Sequence, residues 1–469
     1  MMSMRYLAPA ICALFALAAP GVGSGSGSSS LRDGALPVRL AAATTQRSLE
    51  STAAGNWTAT ASMAAARSNL TATRLNNGRV LVVGGEGDTT RDSTAELYDP
   101  PTGTWIPAGT LNEPRTLHVA VRLADGRVLV AGGGWYSAGA ELYDPATNRW
   151  TPTGSMNVGR ISFTGTLLPN GRVLVVGGNS LSGLQASAEL YDPATGRWTL
   201  TGSLRTPRRN QTATLLAGGT VLVAGGANST GWPRNAELYD PSTGRWKRAG
   251  TMTTGREGAT PMLLGNGRVL LAGGGNPSAL TSAELYDPAS RSWSATGSMT
   301  AYHPGGAPAL LQDGRVLVAG YSTGDVYSPA TGTWTVTGPM VYPYASAAAA
   351  LLPNGQVLYA GGRRVKYCGQ YYCDEPLADA ELYTPSSKNA SAAEARPRTR
   401  TRVLPEEYRK AVIRMNGDVA QTFLLDGFVA GTWRVETGRV VLEPFATPSR
   451  SLRRELDEQA ARLEAFLAY

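Results

Sequence analysis

Residues Leu167 to Trp198 read LLPNGRVLVVGGNSLSGLQASAELYDPATGRW, and edited copies of this stretch bring the total to seven. One copy cannot bury its own apolar faces, so copies must stack against one another. Within the copy, Asn170-Gly171 is a two-residue hairpin turn, because both residues tolerate positive φ. Leu167-Leu168 precedes the turn on one strand. Val173-Leu174-Val175-Val176 follows it, an apolar run suited to a strand buried on both faces. Gly177-Gly178 ends that strand where a side chain would block close backbone approach. Ala188-Glu189-Leu190-Tyr191 is a third strand, Asp192 to Gly196 has tight-turn chemistry, and Trp198 opens a fourth.

Four short antiparallel strands per copy form one blade of a closed ring. The valine-glycine strand recurs at Val80, Val128, Val173, Val221, Val269, Val316 and Val357, and the tyrosine strand at Tyr98, Tyr143, Tyr191, Tyr239, Tyr286, Tyr327 and Tyr383. Tryptophan recurs at 57, 105, 150, 198, 246, 293 and 334. The three counts agree, but Trp57 precedes the first glycine pair and no Trp follows Tyr383 until Trp433. The expectation is that the strand at Trp57 completes the last blade, leaving no sheet edge.

The combination of Gly-Gly, a tyrosine some thirteen positions on, and a tryptophan about seven later resembles the kelch family of β-propellers over about residues 55–385. The fold class this implies is all-β, a seven-bladed kelch-type β-propeller closed by an N-terminal strand. The family includes binding scaffolds and enzymes, so function must be argued from a site.

Composition agrees: 56 Gly, 29 Pro and only 17% charged residues suit many short strands and turns. Residues 1–19 read as a secretory signal, with Arg5 ahead of an apolar run too short to span a bilayer. Cys12 lies in that leader, but Ile11 before it is wrong for lipidation. A secreted or periplasmic, monomeric protein is expected, with a disordered linker over residues 20–54 that is Gly/Ser-rich at 21–30. The net charge of +8 is partly local, from Arg396, Arg398, Arg400 and Arg402 in a linker at 386–402. A dispersed excess of arginine reads as solubility, not as a nucleic-acid footprint.

Residues 403–469 change character. Val419–Asp426, Phe428–Val435 and Arg439–Phe445 read as strands, and Pro448 to Leu467 as an amphipathic helix, a small α+β element. Leu404-Pro-Glu-Glu-Tyr408, Leu425-Asp-Gly-Phe-Val-Ala-Gly-Thr-Trp433 and Val441-Leu-Glu-Pro-Phe445 are similar to the C-terminal end of bacterial winged-helix DNA-binding proteins, among them glycosylases that unhook crosslinks. That resemblance implies DNA as an alternative partner and carries no catalytic residue over. Export and DNA binding point to different compartments, as in a chain of composite origin.

Candidate chemistry lies at breaks and regularities of the repeat. Arg67, Arg115, Arg160, Arg208 and Arg256 recur four positions after Met63, Leu111, Met156, Leu204 and Met252. A ring of guanidinium groups at one rim would attract an anionic ligand. The favoured reading is that each pairs with Glu96, Glu141, Glu189, Glu237 or Glu284, which share the period. The sixth and seventh blades are expected to place Tyr302 and Pro343 at that position. Tyr302-His303 raises a copper enzyme resembling galactose oxidase, but His118 is the only other histidine and no inner-strand cysteine accompanies them. No cofactor and no metal site are therefore assigned. Asp99, Asp144, Asp192, Asp240 and Asp287 read as turn residues. An insertion at Arg363 to Asp379 holds Cys368 and Cys373, expected to form a disulfide, beside Tyr367, Tyr371 and Tyr372, a candidate contact surface. The reading is a non-catalytic scaffold that recognises a protein or glycan through rim loops.

Overall fold

A computed structural model describes residues 54–87, 91–368, 371–386, 422–425, 428–436 and 439–444, with backbone alone for 365–372 and for the last three segments. The expected leader, the linkers and the helix at Pro448–Leu467 lie outside the described residues. The chain divides into two units, Met1–Lys388 and Asn389–Tyr469.

The first unit is a propeller of seven four-stranded antiparallel sheets. Blade one runs outward through β2 (Thr71–Arg74), β3 (Val80–Val83), β4 (Thr94–Asp99) and β5 (Thr104–Thr110). Blades two to six repeat this order. Blade seven is built from Ala348–Leu351, Val357–Ala360 and Ala380–Pro385, and its outer strand is β1, Gly55–Thr60. Trp57 lies opposite Tyr383, just as Trp105 lies opposite Tyr98, so the N-terminal strand closes the ring.

The second strands are apolar because both of their faces are covered. All four valine-strand residues Val173–Val176 are buried, and the core consists of wedges between adjacent blades. In each blade a tyrosine and tryptophan pack with ring centroids 5.0–5.1 Å apart. The indole N–H then reaches the preceding blade: Trp198 donates to Gly154 O at 2.7 Å and Trp246 to Gly202 O at 2.6 Å. One side chain thus serves the core and the inter-blade seam. The glycine pair serves the same seam from the other end. Gly178 has φ +90°, and a Cβ there would stand 2.5 Å from the Ile161 carbonyl oxygen. Its N–H donates to Arg208 O in the next blade at 2.8 Å.

Blade seven carries an extra hairpin, Arg363–Cys368 paired with Tyr371–Pro376. The second unit shows a three-stranded sheet, Thr422–Leu425, Phe428–Glu436 and Arg439–Pro444. Among the described residues no helix is long and apolar enough to cross a membrane.

Candidate functional site

Each chain segment that leads from an outer strand to the next inner strand delivers one side chain into a buried socket. In blade one, Arg67 Nη1 donates to Gly84 O and Thr94 O, both at 3.0 Å, and Nη2 meets Glu96 Oε1 at 2.7 Å. Arg115, Arg160, Arg208 and Arg256 repeat this arrangement with Glu141, Glu189, Glu237 and Glu284 at 3.0, 2.8, 3.4 and 3.1 Å. The glutamate also caps the connector: Asn157 N–H donates to Glu189 Oε2 and Val158 N–H to Oε1. Burial pulls the pKa of Arg160, Arg208 and Arg256 down, and the facing glutamates push back.

The anion-binding expectation for these five arginines is therefore corrected. Their exposure is 0–1%, and their terminal nitrogens are engaged by blade carboxylates and carbonyls. They are inter-strand pins, not a charged mouth. The sixth and seventh members are also corrected. His303, not Tyr302, fills the sixth socket, with Nε2 2.9 Å from Asp325 Oδ2 and Nδ1 3.1 Å from Gly320 O. Tyr344, not Pro343, fills the seventh, beside Glu381. Both follow Met299 and Met340 by the four-residue spacing of the other five, a signal the sequence does contain.

The histidines do not fit a copper centre. His303 has both ring nitrogens engaged inside blade six. His118 lies at the inner strand of blade two with Nε2 2.9 Å from Thr71 Oγ1, and burial, with Arg115 adding, pushes its pKa down to about 3. Among the described residues no group of three or more His, Cys, Asp or Glu could hold a metal ion. The turn aspartates do what their position suggests: Asp192 Oδ1 accepts the Ala194 N–H at 3.0 Å. Cys373 is disulfide-bonded. The side chains of its expected partner Cys368, and of Tyr367, Tyr371 and Tyr372, lie outside the described residues, although the backbone places Tyr367 opposite Tyr372.

The connectors and the loops between second and third strands emerge on one face, opposite the hairpin turns. Two residues beyond each socket residue the backbone is left-handed: Asn69, Leu117, Ser162 and Asn210 have φ of 51–55°, and Ser346 has 57°. Leu117 N–H donates to Asn69 O, Ser162 to Leu117, Asn210 to Ser162 and Gly258 to Asn210, at 3.0–3.4 Å. This collar draws the first five blades together around the axis.

Sequence reasoning missed the aromatic groups above the collar. Trp135 is 80% exposed, with the Arg91 guanidinium 4.1 Å from its ring centroid. Gly134 N–H donates to Thr116 O, tying the Trp135 loop to the connector that carries exposed Leu117. Asn179 Nδ2 reaches Tyr136 Oη at 3.4 Å, which brings in Leu181, 84% exposed at the tip of the next hairpin. Trp135 and Trp232 are the propeller tryptophans out of phase with the repeat, which is the signal that marks them.

Residues 70–112 and 208–253 match the Kelch motif family. Residues 395–466 match the family "DNA glycosylase AlkZ-like". No curated protein matches the chain. Among solved structures, the chain is similar to a fungal alcohol oxidase of the AA5 family in complex with copper, at 19% identity and a TM-score of 0.59, covering 84% of this chain and 85% of that one. It is also similar to YjhT, at 15% identity and a TM-score of 0.47, covering 60% of this chain and 99% of that one. At these identities the likeness concerns the fold alone.

Proposed function

We propose that this kelch propeller is a binding scaffold that docks a protein partner on the connector face, with Trp135 as anchor. The observation that carries the reading is the exposure of Trp135 and Leu181, 80% and 84%, on adjacent blades of one face. The repeat's own tryptophans are packed against tyrosines, so Trp135 contributes nothing comparable to the frame. Tryptophan and arginine dominate the energetics of protein interfaces, and the Arg91–Trp135 stack supplies both. Exposed leucines beside them favour a protein over a sugar. The reading carries no catalytic step.

Affinity capture with the full chain, compared with Trp135→Ala, tests the reading. A hot-spot tryptophan costs about 2–4 kcal/mol on truncation, a loss of some thirtyfold to a thousandfold in affinity. Unchanged capture by the variant, or capture of glycans alone on an array, overturns it. A second reading rests on the match at 395–466: contact with DNA through the second unit. Salt-sensitive retention of the full chain on duplex DNA, lost on removal of residues 395–469, would support it; no retention at low salt excludes it.

A further inference from the structure

The seventh socket differs from its six sisters in charge. Five hold an arginine against a glutamate and the sixth holds His303 against Asp325. Blade seven keeps the acid, Glu381, at the same register as Glu96, opposite the second strand: Tyr359 pairs with Glu381 as Val82 pairs with Glu96. It has lost the cation, because Tyr344 stands where arginine or histidine stands elsewhere. Tyrosine fills similar volume but has one hydroxyl for a site that uses several donors. Glu381 and Tyr344 are both 0% exposed. Glu381 Oε2 accepts the Val341 N–H at 2.8 Å and the Tyr342 N–H also faces the carboxylate, but no side-chain donor reaches Oε1 and the Tyr344 hydroxyl has no hydrogen-bond partner.

A buried carboxylate without a counter-charge is costly, and the usual resolution is neutralisation. We infer that Glu381 is a proton-binding site: a proton from solution closes the seventh socket where an arginine closes five of the others. A proton on Oε1 cancels the charge and converts an acceptor into a donor. Burial is the main cause that pushes the Glu381 pKa up from 4.5 to about 7; the Val341 and Tyr342 N–H groups offset part of it, and Asp379 adds to it. The surrounding titratable groups offer no relief. Tyr359 faces it from the second strand, Tyr342 and Tyr344 from the connector and Asp379 from the hairpin base, and burial pushes Tyr359 and Tyr344 further up. Arg363, where the hairpin departs, is engaged by Asp374.

The socket sits at the base of the extra hairpin. Gly361 N–H donates to Asp379 O at 3.0 Å and Leu377 N–H to Gly362 O at 2.9 Å, tying the two hairpin ends together. Arg67 N–H and Met63 N–H then donate to Leu377 O and Ala378 O, linking that base to blade one. Charge on Glu381 therefore loosens the seam at which the ring closes. The inference needs no ligand and stands apart from the docking reading.

The sign follows from the raised pKa. The folded state holds a proton that the unfolded state has released, so stability from this group is complete below about 4.5 and is lost as pH rises to about 7. Hydrogen exchange of the full chain, expressed as protection relative to intrinsic exchange, tests this. Protection of the segments around Val341–Tyr344 and Leu377–Tyr383 should fall by up to tenfold per pH unit across that window, relative to the matching segments of blade three. Glu381→Gln, neutral at every pH, should flatten the difference. A wild-type profile identical to that of E381Q overturns the inference. If the variant fails to fold, infrared spectroscopy of the native protein at pH 6 decides: a protonated carboxyl band from a buried acid supports the inference, and its absence refutes it.

Discussion

Trp57 donates its indole N–H to the Thr337 hydroxyl at 2.9 Å, joining residues 280 positions apart. The same ring packs on Tyr383 and on Tyr359, with centroids at 5.0 and 5.1 Å. Blade seven is thus held by a strand from the far end of the propeller, and its seam to blade six uses the tryptophan that every other seam uses.

Trp57→Ala should lower stability by about 3–5 kcal/mol, the range for truncating a buried tryptophan. Loss of the closing seam should also release blade seven first. Chemical denaturation gives the total, and limited proteolysis near residues 348–385 reports the order.

The buried pairs make a different prediction. Arg160→Met should cost about 3–5 kcal/mol, because Glu189 is left charged and buried. Adding Glu189→Leu should recover only part of this. Gly177 O and Ser187 O lose the guanidinium, and the Asn157 and Val158 N–H groups lose the carboxylate. A double-mutant cycle by urea unfolding separates the two contributions.

Gly178 and Gly171 contrast clash with strain. Both have positive φ, but around a Cβ on Gly171 nothing lies within 4 Å. Gly171→Ala should cost only the left-handed penalty, about 1–2 kcal/mol. Gly178→Ala adds a collision with Ile161 O, worth roughly 1–3 kcal/mol more. Thermal denaturation of the two variants should rank them in that order.

His118 governs the acid side. Its folded pKa is pushed down from 6.5 to about 3, so the folded state resists a proton that the unfolded state accepts. The stability it supports is complete above about 6.5 and is lost as pH falls toward 3. His118→Phe, the residue found as Phe163 at the equivalent place in blade three, should flatten that slope. A variant that keeps the wild-type slope between these pH values contradicts the assignment.

The blade number and the closure of the ring were legible in the chain because both depend on local signals with a fixed period. Turn glycines, apolar runs and aromatic positions each need only their near neighbours to be understood. The displaced Trp57 added the one long-range fact, since a ring with seven tyrosine strands needs a seventh tryptophan strand. What lies between periods was not legible. Whether Arg160 faces solvent or Glu189 is decided by a connector folding against a strand residue 29 positions away. His303 and Tyr344 keep the four-residue spacing after Met299 and Met340, but the change of residue type from arginine hid them from the socket series. Trp135 stands out of phase with the repeat in the sequence, but only the fold shows that its ring is left exposed. Glu381 carried the glutamate signature of its sisters. Only packing shows that its charge has no cation to meet.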